Sequence, residues 1–271
     1  MVKFVVEKEI KLSRLAPSFG VSYSALQKSL RKKDVKINGK RTKEDVTLKV
    51  GDIVEIFTEI KHIELTKIYE DDNVLLIDKP TGITSDEVYE MLNISNNLYY
   101  IHRLDRNTSG LMIFAKNAES ESELLNGFKN RTFQKKYLAR VYQKPQKESM
   151  ILTDYLVKDK EKGLVKIYSN KVNGSVKIQT EYKFIKDYGD DTSLLEVDLI
   201  TGKTHQIRAH MAHIGHFVIG DGKYGKEKIN RLYGKSKQQL RAYKLTLNFT
   251  KSEKLYYLNG KTFILDGDFN K

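Results

Sequence analysis

Residues 98–114, LYYIHRLDRNTSGLMIF, read as strand, loop and strand. The apolar runs 98–101 and 111–114 are too short for helices, and the polar segment between them ends in Gly110, which lets the chain turn into the next strand. Such a unit needs sheet neighbours, and the chain supplies them. Residues 74–77, VLLI, form an apolar run stopped by Asp78-Lys79-Pro80 and Thr81-Gly82. Residues 137–142, 178–184 and 194–200 read as further strands, and 118–129 and 205–214 as helices. Strands outnumber helices without regular alternation, which predicts an α+β fold on a mixed or antiparallel sheet rather than a doubly wound one.

A different unit precedes this one, with a change of pattern near residues 58–66. Ser22 can cap a helix running through Ala25, Leu26 and Leu30 to Lys33. Val35-Lys36-Ile37 alternates as a strand, and Asn38-Gly39 is a tight-turn signal. Val46, Leu48 and Val50, then Ile53, Val54 and Ile56, give further strand broken by Gly51-Asp52. The expected division is therefore 1–60 and 61–271.

Charge is concentrated in the first unit. Between residues 22 and 43 eight Lys and Arg face one acid, Asp34. Lys28, Arg31 and Lys32 share a helix face, and Lys33, Lys40 and Arg41 extend the basic surface. Such a stripe suits phosphate oxygens, and equally suits a solvated face. The whole chain carries +13 over 271 residues, a balance that points to a polyanion, either nucleic acid or an anionic membrane surface. There is no cysteine, which rules out disulfides and thiolate metal sites and fits a reducing cytoplasm. No apolar run is long enough to span a bilayer, and MVKFVVEKEIKLSR resembles neither a signal nor a transit peptide.

Asp105 sits in the loop 101–110 between Arg103 and Arg106. The arginines would keep its carboxylate ionised, as a nucleophile requires, while Asn107, Thr108 and Ser109 can stiffen the loop by bonding backbone. A turn aspartate salt-bridged to arginine fits the same spacing. A second constellation is TGKTHQIRAHMAHIGH, 201–216. Thr204 can cap its helix, Ile207, Met211 and Ile214 form a core face, and Arg208 lies at the edge of that face. Four histidines fall within twelve residues, but His205 and His210 are five apart and no acid lies on the helix, so polar partners or RNA suit them better than a metal. No glycine-rich loop opens a helix, which argues against nucleotide hydrolysis and dinucleotide redox chemistry.

Taken together, DKPTGITSD (78–86), HRLDRNTSGLMIFAKN (102–117), KKYLARVY (135–142) and TGKTHQIRAHMAHIGHFVIGDGKYG (201–225) resemble the RluA-type RNA pseudouridine synthases. The N-terminal LQKSLRKKDVKINGKRTKEDVTLKVGDIVEI resembles the S4 RNA-binding domain. The resemblance implies a small S4-like αβ domain followed by a mixed, largely antiparallel sheet with flanking helices and a central cleft. It implies isomerisation of uridine to pseudouridine, with large-subunit ribosomal RNA as partner and no cofactor or metal. It also implies a monomer, with Asp105 as the catalytic aspartate, Tyr137 stacked on the base, Arg208 paired with Asp105, Arg103 entering the duplex and His102 among the RNA contacts. A synthase for transfer RNA and a catalytically silent RNA-binding assembly factor are the alternatives. The chain has Leu240-Arg241-Ala242 where members often carry Leu-His-Ala.

Overall fold

The computed structural model describes residues 1–21, 23–57, 65–93, 97–159, 161, 163–234, 237–267 and 269. In chain order, the first unit contains β1 (Val2–Val5), β2 (Ile10–Lys11), α1 (Leu12–Leu15), α2 (Tyr23–Arg31), β3 (Val35–Ile37), β4 (Lys40–Thr42), β5 (Thr47–Leu48) and β6 (Ile53–Ile56). Its antiparallel sheet has the order β1-β6-β3-β4, and β2 pairs with β5. Leu26 and Leu30, one helical turn apart on α2, are buried in a core with Leu12, Val35, Val54 and Ile56. Asn38 and Gly39 both take positive φ, 49° and 78°, as a two-residue hairpin requires, and the Asn38 side chain braces Asp52 and the Ile53 N–H at 2.8 Å each.

Helix α2 ends at Arg31 rather than Lys33, because Lys33 adopts a left-handed φ of 58° that no helix can continue. Only Thr47–Leu48 of the 46–50 pattern pairs as strand, leaving Val50 exposed. The Ser22 cap and the 60/61 boundary lie outside the described residues.

The second unit contains β7 (Thr66–Glu70), β8 (Val74–Lys79), α3 (Ser85–Leu92), β9 (Tyr99–Tyr100), β10 (Ser109–Ala115), α4 (Ala118–Asn130) and β11 (Gln134–Tyr142). It continues with β12 (Ser149–Asp159), β13 (Leu164–Tyr168), β14 (Val176–Asp187), β15 (Thr192–Asp198), α5 (Gln206–His213), α6 (Glu227–Leu232), β16 (Leu240–Thr246) and β17 (Thr262–Ile264). One sheet runs β13-β12-β14-β15-β11-β16-β10-β8-β7, with β17 beside β16 and β9 beside β10. Its strand pairs are antiparallel except β10 with β16. This is a mixed α+β fold built on one large sheet. No helix among the described residues is long and apolar enough to cross a membrane.

The run VLLI reads as continuously apolar because both sheet faces are covered. Leu75 and Ile77 join one core with Met112, Phe114, Ile207 and Met211 of α5. Val74 and Leu76 join another with Ile113, Leu124 of α4 and Leu255. The expected strands all form, β16 had only the resemblance behind it, and β7, β12, β13, β17, α3 and α6 were not anticipated. Arg241 and Lys244 break the apolar pattern of β16, and Arg241 is accommodated only because its guanidinium meets Asp78 at 2.7 Å. Helix α3 does carry a local signature, Thr84-Ser85-Asp86-Glu87, which closes as a capping box.

Glu87 has more than one task. Its carboxylate accepts the Thr84 N–H at 2.8 Å, meets Arg106 at 3.3 Å and accepts the Tyr23 N–H at the start of α2. One buried carboxylate thus ties the first unit, the start of α3 and the Asp105 loop. Glu87→Ala is expected to lower stability by about 3 kcal/mol, the sum of a lost cap and a broken, largely buried ion pair. Glu87→Gln, which can keep the cap, should lose roughly half of that. Urea unfolding is the check, and equal midpoints for Glu87→Ala and wild type would contradict it.

Candidate active site

Loop 101–108 hangs between β9 and β10 and is held by groups from other segments. Lys79 at the end of β8 is fully buried, and its ammonium donates to the carbonyls of Pro80, Ile83 and Arg106 at 2.9, 2.7 and 3.2 Å. Burial pulls its pKa down to about 7 against the raising influence of Asp105. Three carbonyl acceptors call for three N–H donors, which only the ammonium has. The Ser85 hydroxyl donates to the Leu104 carbonyl at 2.9 Å and accepts the Leu104 N–H at 2.8 Å, while the Gly82 N–H reaches the Arg106 carbonyl at 2.8 Å. Gln238 grips the Thr108 hydroxyl at 2.6 Å. The loop is therefore stiffened mainly from outside rather than by its own polar side chains. Gly110 admits β16: a Cβ there would lie 2.2 Å from the Ala242 carbonyl oxygen.

The same Ala242 is in register with Tyr137 on β11, at a bulge, so β16 sets Tyr137 two strands from the root of the loop. Helix α5 brings in Arg208. Its Nη1 donates to Asp105 Oδ2 at 2.8 Å, and its Nε and Nη2 donate to Asp221 Oδ2 and Oδ1 at 2.6 and 2.9 Å. Asp105 Oδ1 accepts no hydrogen bond among the described residues. Burial raises the Asp221 pKa, but Arg208 and the N–H groups of Lys223 and Tyr224 outweigh it and hold the carboxyl below the usual range. Arg208 is held above its ordinary value, because the two carboxylates outweigh its burial. Burial, then the Asp105 charge, pushes the Tyr137 phenol up, so it stays protonated. Asp105, Tyr137 and Arg208 line a cavity of about 320 Å³ with Leu104, Phe128, His205 and Leu240, at the small end of the range for ligand sites, and Asp221 lies buried behind Arg208.

Several expected residues have different surroundings. Arg106 is drawn off Asp105 by Glu87 and by the Gly82 carbonyl, each at 3.3 Å. Arg103 is exposed at the cavity edge. Thr204 does not cap α5: the chain enters through His205 in a left-handed conformation, φ 54°, and no side-chain oxygen caps it. A non-glycine residue there costs about 1 kcal/mol or more. Each of the four histidines has a protein partner: Tyr224 for His205, Thr180 and Asp154 for His210, Ser169 for His213 and the Tyr142 carbonyl for His216. Lys28, Arg31, Lys32, Lys33, Lys40 and Arg41 are exposed on the first unit, and none lines the cavity. Asp221, His205, Tyr224 and Lys79 were not anticipated at the site. For Asp221 the only local signal was DGKYG, which is too short to reveal a partner.

His102 is a neutral wall of the cavity. Its ring stacks on Phe128 at 4.6 Å, and Nε2 accepts the Ile113 N–H at 3.2 Å, so that nitrogen must stay unprotonated. Burial, aided by Lys135, pushes its pKa down to about 3. The unfolded chain therefore binds the extra proton first, and stability falls with pH from about 6.5 toward 3. By pH 5 the loss amounts to about 2 kcal/mol. His210, buried and also shifted down by burial, acts in the same sense. Urea unfolding at pH 7.5 and 5 is the check: His102→Phe should flatten the acid limb, and an unchanged limb would refute the assignment.

The family model for RNA pseudouridylate synthase matches residues 73–213. The ribosomal large subunit pseudouridine synthase C of Rickettsia bellii is 33% identical, over 80% of this chain and 82% of that protein. An RNA pseudouridine synthase of Mycoplasma capricolum is 28% identical over 99% of both chains. Among solved structures, human RNA pseudouridylate synthase domain containing 1 superposes with a TM-score of 0.60 at 23% identity, over 67% of this chain and 78% of that one. Human RNA pseudouridylate synthase domain containing 4 gives 0.56 at 20%, over 71% and 90%. At these identities the two structures speak for the fold alone.

Proposed function

The chain belongs to the RNA pseudouridylate synthase family, isomerases that act on RNA, and on that premise we propose that it isomerises uridines of large-subunit ribosomal RNA with Asp105 as the reacting carboxylate. The observation that carries the reading is that Arg208, braced by the buried Asp221, reaches Asp105 in the wall of the cavity. Arg208 fixes Oδ2 and leaves Oδ1 to face the substrate. The target uridine leaves its stack at a cost of a few kcal/mol, and stacking on Tyr137 returns about 1–3 kcal/mol. The N1–C1′ bond breaks with its electron pair going to the uracil ring. Asp105 answers the electron deficiency left behind, the base turns, C5 bonds to C1′, and the proton lost from C5 is balanced by one gained at N1. Neither redox equivalents nor an energy donor enters this balance.

The substrate assignment rests on the relatives named for the large ribosomal subunit. The basic face of the first unit, which resembles an S4 domain over residues 1–60, holds the RNA backbone through Lys28, Arg31, Lys32, Lys33, Lys40 and Arg41, and Arg103 enters the duplex. In this reading the enzyme works as a monomer in the cytoplasm. Pseudouridine mapping of ribosomal and transfer RNA, from cells with and without the gene, tests it. Loss of sites in large-subunit RNA is expected, whereas loss confined to transfer RNA would reassign the substrate. Replacing Lys28, Arg31 and Lys32 together by Gln should flatten the salt dependence of RNA binding by about two in log–log slope. An unchanged slope would remove the basic helix from the interface.

A further inference from the structure

We propose that His205 is a positioning residue for Asp105, held by Tyr224 as a neutral hydrogen-bond donor toward the carboxylate oxygen that Arg208 also holds. The proposal rests on the reading of Asp105 as the reacting carboxylate. His205 Nδ1 lies 2.9 Å from the Tyr224 hydroxyl, and that hydroxyl accepts the Val165 N–H at 2.9 Å. The single proton of Tyr224 then has one described acceptor, Nδ1. This favours the tautomer in which Nδ1 accepts and Nε2 carries hydrogen. Nε2 lies 3.7 Å from Asp105 Oδ2, and a movement of less than about 1 Å makes that a hydrogen bond.

Charge around the ring keeps it neutral. Burial, Arg208 and Lys223 disfavour the imidazolium and together outweigh Asp105 and Asp221, which favour it. Neutrality suits the task. As Asp105 engages the substrate through Oδ1 it gives up negative charge, and when that bond breaks the electron pair returns to the carboxylate. A donor at Oδ2 stabilises the returning charge, and a neutral one blunts the nucleophile less than a second cation would. The backbone supports a functional role. His205 holds a left-handed φ of 54° at the start of α5, where glycine would sit without strain.

Single-turnover kinetics with excess enzyme on transcribed large-subunit RNA tests the proposal, with Asp105→Asn run alongside. His205→Ala and His205→Phe should lower the maximal rate by about 10- to 100-fold with the half-saturating enzyme concentration unchanged. His205→Gln, whose amide nitrogen can replace Nε2, should recover most of that rate. His205→Gly should lose rate like His205→Ala while unfolding at no lower temperature, which separates function from folding. A wild-type maximal rate for His205→Ala, a loss carried only by binding, or no recovery with His205→Gln would overturn the proposal. If Asp105→Asn is inactive in those cases, the Asp105 reading stands and only His205 falls. Turnover by Asp105→Asn would overturn both.

Discussion

An Asp105→Asn enzyme is expected to bind RNA nearly as well as wild type and to form pseudouridine at least about 10⁴-fold more slowly, the scale on which enzymes lose a reacting side chain. The amide fits the same space and can accept from Arg208 through its oxygen, so the loop should keep its shape: its main ties run through Lys79, Ser85, Gly82 and Gln238, not through Asp105. What disappears is the negative charge. Asp105→Ala should behave alike in turnover. Parallel measurements of RNA affinity by filter binding and of single-turnover rate separate the two effects. A tenfold or smaller loss of rate, or an equal loss of affinity and rate, would place the chemistry elsewhere in the cavity.

Asp221→Ala should be the most destabilising single change at the site, costing about 3–5 kcal/mol. The Asp221 side chain has no solvent exposure, and it anchors two nitrogens of Arg208 and the N–H groups of Lys223 and Tyr224. Removing it leaves a buried guanidinium paired only with Asp105. Turnover should fall with stability, because Arg208 then lacks the brace that aims it. Asp221→Asn can keep the acceptor for the two backbone N–H groups but turns an N–H donor toward Arg208 Nε, and should cost roughly half as much. The urea midpoint and the single-turnover rate of folded enzyme at low temperature are the two readouts. A loss below about 1 kcal/mol for Asp221→Ala would mean that Arg208 is held by other means.

Asp221 also marks the limit of what could be read in advance. It lies in DGKYG, which has no periodicity, and nothing local distinguishes a carboxylate that serves a guanidinium thirteen residues earlier. Gly220 before it has φ 78°, and a Cβ there would lie 2.1 Å from the Lys237 carbonyl oxygen, a constraint visible only when two distant segments meet. Arg106 failed as a reading for the same reason: its nearness to Asp105 along the chain lost to Glu87 across space. On β16, Arg241 adds a further case, since it reads as exposed until Asp78 is beside it.

By itself, the sequence determined whatever depends on near neighbours. The strand-loop-strand unit around Asp105, the Asn38-Gly39 hairpin, the apolar faces of α2 and α5 and the clustering of charge follow from side-chain periodicity and backbone freedom within a few residues. It also carried the motifs that tie the chain to its family. Only the tertiary structure decided the other partners of buried charges: Lys79 with three carbonyls, Arg208 with Asp221, and Glu87 with Arg106 and Tyr23. A charge taken out of water must find compensation wherever the sheet register brings a complementary group, and that register is a property of the assembled strands rather than of any one segment.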